Sequence, residues 1–346
     1  KGKRPRGLFI HWWVTQKAKE KISKSKGGAE HIAEAATKYG VDAMRLYYAH
    51  IGSTFVDIEW DKEAVTKYKN RLSNIFKLIN NLRKIVDKKN KNLDFWLESR
   101  LQKSIKNISK ALDKFDLRVA TNEIFFEIQK NLQWYIKRNG SNKELLDLFV
   151  KNWIILMTPI TPHLSEELWS KYSDGFVSNE NYPIFNKNKI HEKEEIGEYL
   201  LNETIKDISE ILKVTKIKPK KIIIYSTSNW KKDVFRKAIK QSEENKLNIG
   251  MIMKDIMSNP DMRSKGKEIS KYLGKLNKEI IKLSKTDKEK YLTDINEKDY
   301  IIDSMDFLKR LYNCDFEIYS ADDKDKYDPN NKAKFAEPLR PAIYIE

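Results

Sequence analysis

The sequence predicts a mainly α-helical protein with an α+β C-terminal domain. Three observations lead there. Between Asp61 and Tyr172, apolar residues recur at three- and four-residue spacing in five successive segments. Beyond Glu194, helical stretches alternate with short strand-like runs such as Lys220–Ser226 (KKIIIYS). Gly, Pro and Asn-Gly stand where these segments end.

Taken in order, Gly7–Thr15 (GLFIHWWVT) is apolar and aromatic-rich and fits a buried strand. It runs into a basic loop, Gln16–Gly28. A helical pattern over Ala29–Tyr39 stops at Gly40, Val41–His50 resumes it, and Gly52–Trp60 reads as loop or extended chain. In the first long helix Val65, Tyr68, Leu72, Ile75, Phe76, Ile79, Leu82 and Val86 share a face. The second carries Phe95, Leu97, Leu101, Ile105, Ile108 and Leu112. The third carries Ala120, Ile124, Phe125, Ile128, Leu132 and Tyr135 and stops at Asn139-Gly140. The fourth spans Lys143–Met157 and is closed by Pro159 and Pro162, and His163–Tyr172 adds the last. Short connections predict an antiparallel bundle. After a polar stretch, Ser173–His191, an amphipathic helix is expected over Glu194–Val214. Further helices are expected near Lys231–Lys240, Ile249–Met257 and Lys265–Leu283, and strands at Asp315–Tyr319 and Ala342–Ile345. Asp322–Lys334 reads as a charged, poorly structured loop.

The chain has 346 residues, 67 of them Lys or Arg and 50 Asp or Glu, giving a net charge of +17. The excess is local: Lys1–Gly28 holds nine Lys/Arg and one acid, Glu20. Such an imbalance points to a polyanion: nucleic acid, nucleotide phosphates or an acidic membrane. A membrane-spanning role is disfavoured, since no apolar run approaches about 18 residues. The single cysteine, Cys314, excludes an internal disulfide and a Cys-based zinc site, so the chain reads as cytosolic and reduced. The histidines (His11, His31, His50, His163, His191) show no metal-ligand spacing. The chain opens on Lys rather than Met, which reads as a cut.

The segment with most chemistry in it is Lys21-Ile22-Ser23-Lys24-Ser25-Lys26-Gly27-Gly28. It reads either as a solvated basic linker or as a phosphate-binding loop. In the second reading lysines meet triphosphate oxygens, small serines allow close backbone approach and glycines permit the bend. Its context, an apolar strand before and an amphipathic helix after, favours the second.

This loop resembles the KMSKS signature of class I aminoacyl-tRNA synthetases, with Ile22 in place of Met. The segment His31–Asp61 (HIAEAATKYGVDAMRLYYAHIGSTFVDIEWD) is similar to the stem-contact region of the Leu/Ile/Val group. Met157–Trp169 (MTPITPHLSEELW) resembles the end of that group's helical anticodon-binding-type domain. The segment Tyr199–Val234, from YLLNETIKDISEI through IIIYSTSNWKKDV, and the terminal Ala336–Glu346 resemble leucyl-tRNA synthetases of the archaeal type. Departures lie at Trp12 and Ala18, where the family commonly has Gly, and at Gly28, where it has Asn.

The resemblance implies three parts. Residues 1–60 would be the tail of a class I Rossmann catalytic domain, with the KMSKS loop and stem-contact region. Residues 61–190 would be the helical anticodon-binding-type bundle, and 191–346 a small α+β C-terminal tRNA-binding domain. It implies ATP-dependent activation of leucine and transfer to tRNA-Leu. Lys24 and Lys21 would stabilise the leaving pyrophosphate. Lys21, Ser23, Lys24 and Ser25 would bind ATP, with Mg2+ entering alongside it. The HIGH-type motif, leucine pocket and editing domain would precede Lys1, so the chain alone is expected not to aminoacylate. It would act in the cytoplasm, as a monomer or paired with an N-terminal subunit.

For tRNA, Arg45, Lys69 and Arg71 are candidate phosphate contacts, although for Arg45 a domain–domain contact, or a salt bridge to Asp42 or a nearby acid, fits equally well. The terminal run Leu339–Ile345, with Arg340, Ile343 and Ile345, reads as a closing strand with Ala342 and Tyr344 on one face and Ile343 and Ile345 on the other. The resemblance adds that this domain approaches the long variable arm of tRNA-Leu. Glu166-Glu167 point about 100° apart on a helix and do not converge as paired catalytic carboxylates; support of a helix N-terminus suits them better. The aromatic stripe Tyr68/Phe76, Phe95/Trp96 and Phe125/Trp134/Tyr135 reads as core. Two other readings stay open: a noncatalytic tRNA-binding subunit of a split synthetase, and a sister enzyme for Val, Ile or Met. The absence of a C-terminal heptad coiled coil and of a cysteine zinc cluster counts against the sister enzyme.

Overall fold

The computed structural model describes residues 13–15, 30–52, 57–244 and 248–346, which divide into two compact units, Lys1–His191 and Glu192–Glu346. It is mainly helical with small sheets. Of the strand expected at Gly7–Thr15, the described part is β1 (Val14–Thr15), paired in parallel with β2 (Ile58–Glu59). Helices α1 (Ile32–Tyr39) and α2 (Val41–Ile51) meet at Gly40, whose φ of 89° is one that glycine adopts without strain.

The bundle follows. Helix α3 (Lys62–Leu82) starts where the Asp61 carboxylate accepts the Glu63 and Ala64 N–H groups, and it buries Val65, Tyr68, Leu72, Ile75, Ile79 and Leu82. Val86 does not join this face. Tight turns bonding Lys84 N–H to Asn81 and Ile85 N–H to Leu82 end the helical period, and Val86 is 82% exposed. Helix α4 (Lys91–Asp113) is capped by Asn90. The expected third helix is three pieces: α5 (Leu117–Asn122), a π-helical turn (Glu123–Glu127) and α6 (Ile128–Lys137). Helices α7 (Lys143–Met157) and α8 (Pro162–Trp169) complete it. Leu97, Ile105, Phe125, Leu132, Tyr135, Phe149 and Trp153 are almost wholly enclosed, in one core shared with α1 and α2. The stripe residues Tyr68, Trp96, Phe125 and Tyr135 all lie in that core.

A polar network fastens three element ends here. The Tyr135 hydroxyl donates to Asp94 at 2.6 Å, and the Asn142 side chain donates to the other Asp94 oxygen at 2.9 Å. The Asn142 backbone N–H donates to the Tyr135 oxygen at 3.1 Å. Burial, then the bond to Asp94, holds the Tyr135 hydroxyl far above its ordinary pKa, so it stays a donor.

In the second unit, α9 (Glu192–Thr215) precedes β3 (Lys221–Ser226). Helices α10 (Asn229–Glu244), α11 (Ile249–Met257), α12 (Pro260–Arg263), α13 (Gly266–Ile280), α14 (Lys285–Leu292), α15 (Glu297–Asp303) and α16 (Met305–Tyr312) follow. Then come β4 (Asp315–Ser320) and β5 (Ala342–Ile345). Strand β3 is central: parallel to β4, and antiparallel to β5, with Ile222 opposite Ile345 and Ile224 opposite Ile343. Ile222, Ile223 and Ile224 are fully buried, which explains their unbroken apolar run. Ala342 and Tyr344 pack on the face of Ile223 and Tyr225, as the alternation predicts.

The sequence pattern misses the short α12 and all of α14, α15 and α16. Helix α14 has no fully buried side chain and packs on the core only through Tyr291 and Leu292 at its end, so it leaves no apolar period; its signal is local, Ser284 and Asp287 bonding each other across the first turn. The expected loose loop at Asp322–Lys334 is held: the Tyr225 hydroxyl donates to the Tyr327 carbonyl, and Asp328 accepts the Lys332 and Ala333 N–H groups. Among the described residues no helix is long and apolar enough to cross a membrane.

Replacing Tyr135 with Phe removes a hydroxyl that both donates and accepts and leaves Asp94 short of a partner. Tyr135→Phe is therefore expected to lower the unfolding free energy of the bundle by about 2 kcal/mol. Urea unfolding followed by far-UV circular dichroism measures this, and a midpoint equal to wild type would refute the network's role.

Candidate nucleic-acid interface

Lys21, Ser23, Lys24 and Ser25, like the departures at Trp12, Ala18 and Gly28, lie outside the described residues. The remaining candidates are all placed. Arg45, on α2, donates from Nε to the Ile160 carbonyl and from Nη2 to the Pro159 carbonyl, both at 2.9 Å. The alternative salt bridge to Asp42 does not form. Asp42 is 8% exposed and serves α8 instead, accepting the Leu164 N–H at 2.7 Å and meeting His163 Nδ1 at 2.9 Å. Helix α8 has no cap from its own Thr161, so a carboxylate on another helix supplies the acceptor. Together Arg45 and Asp42 tie α2 to the turn before α8.

Glu166 and Glu167 do not support that N-terminus. The Glu166 carboxylate accepts the Val177 and Ser178 N–H groups at 2.9 and 3.2 Å, starting the short turn after the bundle, and Glu167 pairs with Lys171. The reason is position: both lie beyond the first turn of α8, where Asp42 already accepts the Leu164 N–H.

Lys69 and Arg71, close together on α3, face two different clefts. Lys69 donates to the Lys38 carbonyl at 2.8 Å and lines a cleft of about 290 Å³ with Tyr39, Gly40, Leu72 and His163. Arg71 lines a larger one, about 480 Å³, with His50, Lys67, Tyr68, Asn70, Asn74, Phe126 and Gln129. There Nη1 of Arg71 donates to the Phe125 carbonyl and to Oε1 of Gln129, and its guanidinium lies 3.8 Å from the Phe126 ring centre. His50 stacks on the same ring at 4.8 Å and 24°. Its Nδ1 lies 2.6 Å from the Tyr68 hydroxyl, a geometry in which the neutral ring accepts. Burial first, then the charges of Arg118 and Arg71, lowers the His50 pKa. The cleft thus offers cations and amides beside a planar Arg–Phe–His stack, chemistry suited to a nucleic-acid backbone with its bases.

Sequence reasoning overlooked His50, Phe126 and Gln129. A usable signal was the pair Phe125-Phe126: neighbours on a helix cannot share one face. Phe125 is buried, whereas Phe126, carried on the π-helical turn, faces the cleft.

At the other end of the chain, Arg340 pairs through Nε with Asp207 at 3.2 Å, while Ile343 and Ile345 are partly buried in the edge strand β5. The stretch before β5 is held from several sides. Lys231 donates to the Lys334 and Ala336 carbonyls, and Glu297 accepts the Thr227 and Leu339 N–H groups. Glu337 accepts from Tyr272 and Lys275. Glu297 is 2% exposed, and burial raises its pKa despite Lys232 nearby. Among the described residues no group of three or more His, Cys, Asp or Glu is placed to hold a metal.

The anticodon-binding domain of tRNA ligase matches residues 94–224. Curated proteins named leucine–tRNA ligase are similar along 99% of the chain. That of Methanococcoides burtonii is 36% identical, that of Methanocaldococcus jannaschii 34% and that of Pyrococcus abyssi 32%. The match takes up 36% of the first and 34% of the other two, so the chain spans about a third of these relatives' length. Among solved structures, the LeuRS–tRNA–LeuAMS ternary complex of Agrobacterium radiobacter K84 aligns with 52% of this chain and 24% of its own. The TM-score is 0.46 and the identity 21%, too low to imply a shared fold. The resemblance to archaeal leucyl-tRNA synthetases therefore holds along nearly the whole sequence.

His50 generates a pH prediction. With its folded pKa below the ordinary value of about 6.5, the unfolded state binds the proton more readily. The stability that neutral His50 contributes is full above that value and is lost as pH falls below it. Unfolding midpoints at pH 5.5 and pH 8 should differ more in wild type than in His50→Gln. Equal differences would refute the assignment.

Proposed function

We propose that this chain, similar over 99% of its length to archaeal leucine–tRNA ligases, is the C-terminal part of such an enzyme. That full-length similarity is the observation that carries the reading. The Lys21–Gly28 string and the basic balance of Lys1–Gly28 support it independently. Residues 1–60 form the tail of the class I Rossmann catalytic domain, 61–190 the anticodon-binding-type bundle and 191–346 the C-terminal tRNA-binding domain.

In the reaction, a leucine carboxylate oxygen attacks the α-phosphorus of ATP. The bond to the bridging oxygen breaks, pyrophosphate leaves with the electron pair, and leucyl-adenylate forms. Negative charge grows on the leaving group, and ammonium groups already placed beside it lower the barrier without reorganising at that moment. Lys24 is the main such group and Lys21 assists, with Ser23 and Ser25 positioning the loop. Mg2+ accompanies ATP as a counter-ion of its phosphates. The terminal ribose of tRNA-Leu then takes the leucyl group, releasing AMP. The bundle and C-terminal domain hold the tRNA. In the bundle, Arg71 and Lys67 at the larger cleft have the better geometry for it. Arg71 gives only Nη1 to Phe125 and Gln129. Arg45 gives both Nε and Nη2, and Lys69 its one amine, to backbone carbonyls, and these two serve chiefly to position.

In the complete enzyme, Lys24→Ala should slow leucine-dependent pyrophosphate exchange by about 2–4 kcal/mol while leucine binding changes little. An unchanged exchange rate removes Lys24 from the mechanism. The chain itself should bind tRNA-Leu with an affinity that falls steeply as salt rises, because contacts to phosphates release counterions. Filter binding between about 50 and 200 mM salt tests this; a flat response contradicts the electrostatic account.

A further inference from the structure

Helix α13 carries a row of lysines that no function above uses. At 100° per residue, Lys267, Lys271, Lys275 and Lys278 fall within an arc of about 80°. All four are exposed, as is Lys282 in the turn that follows. The arc contains no acid and no apolar side chain; Gly274, where an added Cβ would meet nothing within 4 Å, lies about 20° outside it beside Lys267, and Glu268 about 20° outside it beside Lys275. The opposite face, with Ile269, Tyr272, Leu273, Leu276 and Ile280, is buried in the core shared with α10 and α11. The row is therefore fixed on a packed helix, with lysines stepping about 6 Å along its axis at each four-residue interval.

Two acids near this row are engaged at Lys275, and among the described residues Glu268, at the edge of the row, forms no ion pair with its lysines. Glu279 and Glu337 both pair with Lys275, at 3.6 and 3.1 Å, and Glu337 also accepts from Tyr272. Among the described residues, Lys267, Lys271, Lys278 and Lys282 form no ion pair. Lys267, Lys271 and Lys278 span about 16 Å as a row of unpaired cations interrupted at Lys275, and such a row complements a regular line of anions. It has no exposed aromatic on which bases would stack, so it does not suit single strands. Beside it a single large apolar side chain, Ile281, is exposed, which is too little apolar surface for insertion at a lipid surface. Backbone phosphates of a double helix meet these requirements, and the bare backbone at Gly274 leaves room for close approach.

We propose that the lysine ridge of α13 docks the phosphate backbone of a double-helical arm of the tRNA, without reading its sequence. This rests on the tRNA-binding function proposed above. Lys275 belongs to the ridge by position but also holds Glu337, so it is left intact in the test. The chain carrying Lys267→Gln, Lys271→Gln, Lys278→Gln and Lys282→Gln is compared with wild type by filter binding to tRNA-Leu and to blunt RNA duplexes of unrelated sequence. Glutamine keeps the helix propensity, and circular dichroism verifies the fold. The slope of log K against log salt should become shallower by about three units on the duplexes, equally for each sequence, and shallower on tRNA-Leu as well. The corresponding four-arginine variant should restore it. An unchanged slope, with wild type binding tRNA-Leu normally, overturns the ridge and leaves the tRNA function standing. Failure of wild type to bind tRNA-Leu even at low salt overturns both. Loss of binding to phosphatidylserine vesicles, with RNA binding intact, would reassign the ridge to a membrane surface.

Discussion

The structure depends on one constraint: backbone N–H groups at the ends of buried elements must find an acceptor, and here carboxylates far away in sequence supply many of them. Asp42 on α2 takes the Leu164 N–H of α8, across 122 positions. Asp87 takes the Lys143 N–H at the start of α7, and Glu166 starts the turn at Val177. In the second unit Glu297 takes the N–H groups of Thr227 and Leu339, and Asp322 that of Asn229. Each such bond fastens two segments at a defined register. Removing the carboxylate would leave an unpaired donor worth about 1–3 kcal/mol, so these acids have more structural weight than their number suggests.

The same constraint shapes the electrostatics. A share of the acidic residues is turned inward or held in local caps, as with Asp42, Asp94 and Glu297, whose side chains are largely buried. Their negative charge then does little to offset the exposed lysines. Exposed cations form organised lines, as on α13, or flank clefts, as Lys67 does beside the partly engaged Arg71. A net charge of +17 thus understates how basic the outward faces are. This is the physical link between the way the chain folds and its proposed partner, a polyanion.

Several side chains that sequence marks as tRNA contacts turn out to hold the protein together. Arg45 spends two donors on carbonyls of the turn before α8, and Arg340 pairs with Asp207. Arg71 is both: bonded to Phe125 and Gln129, yet facing the larger cleft. A planar, fork-shaped guanidinium satisfies carbonyls as readily as phosphates, so residue type alone does not distinguish these uses.

The sequence by itself determined the helical bundle, the central strand at Ile222–Ile224 and the end strand at Ala342–Ile345, because their apolar periods record which faces must leave water. Through its resemblance to known synthetases it also determined the family reading, since Lys21–Gly28 and the segments around it need no coordinates to be recognised. Tertiary structure decided what has no local signature. It decided the π-helical turn that presents Phe126, the exposure of Val86, the helix α14 with no fully buried side chain, and the partners of Asp42, Arg45, Glu166 and Glu297. Periodicity reports burial along one segment, whereas these features depend on which distant backbone group lies within 3 Å, and only the folded chain fixes that.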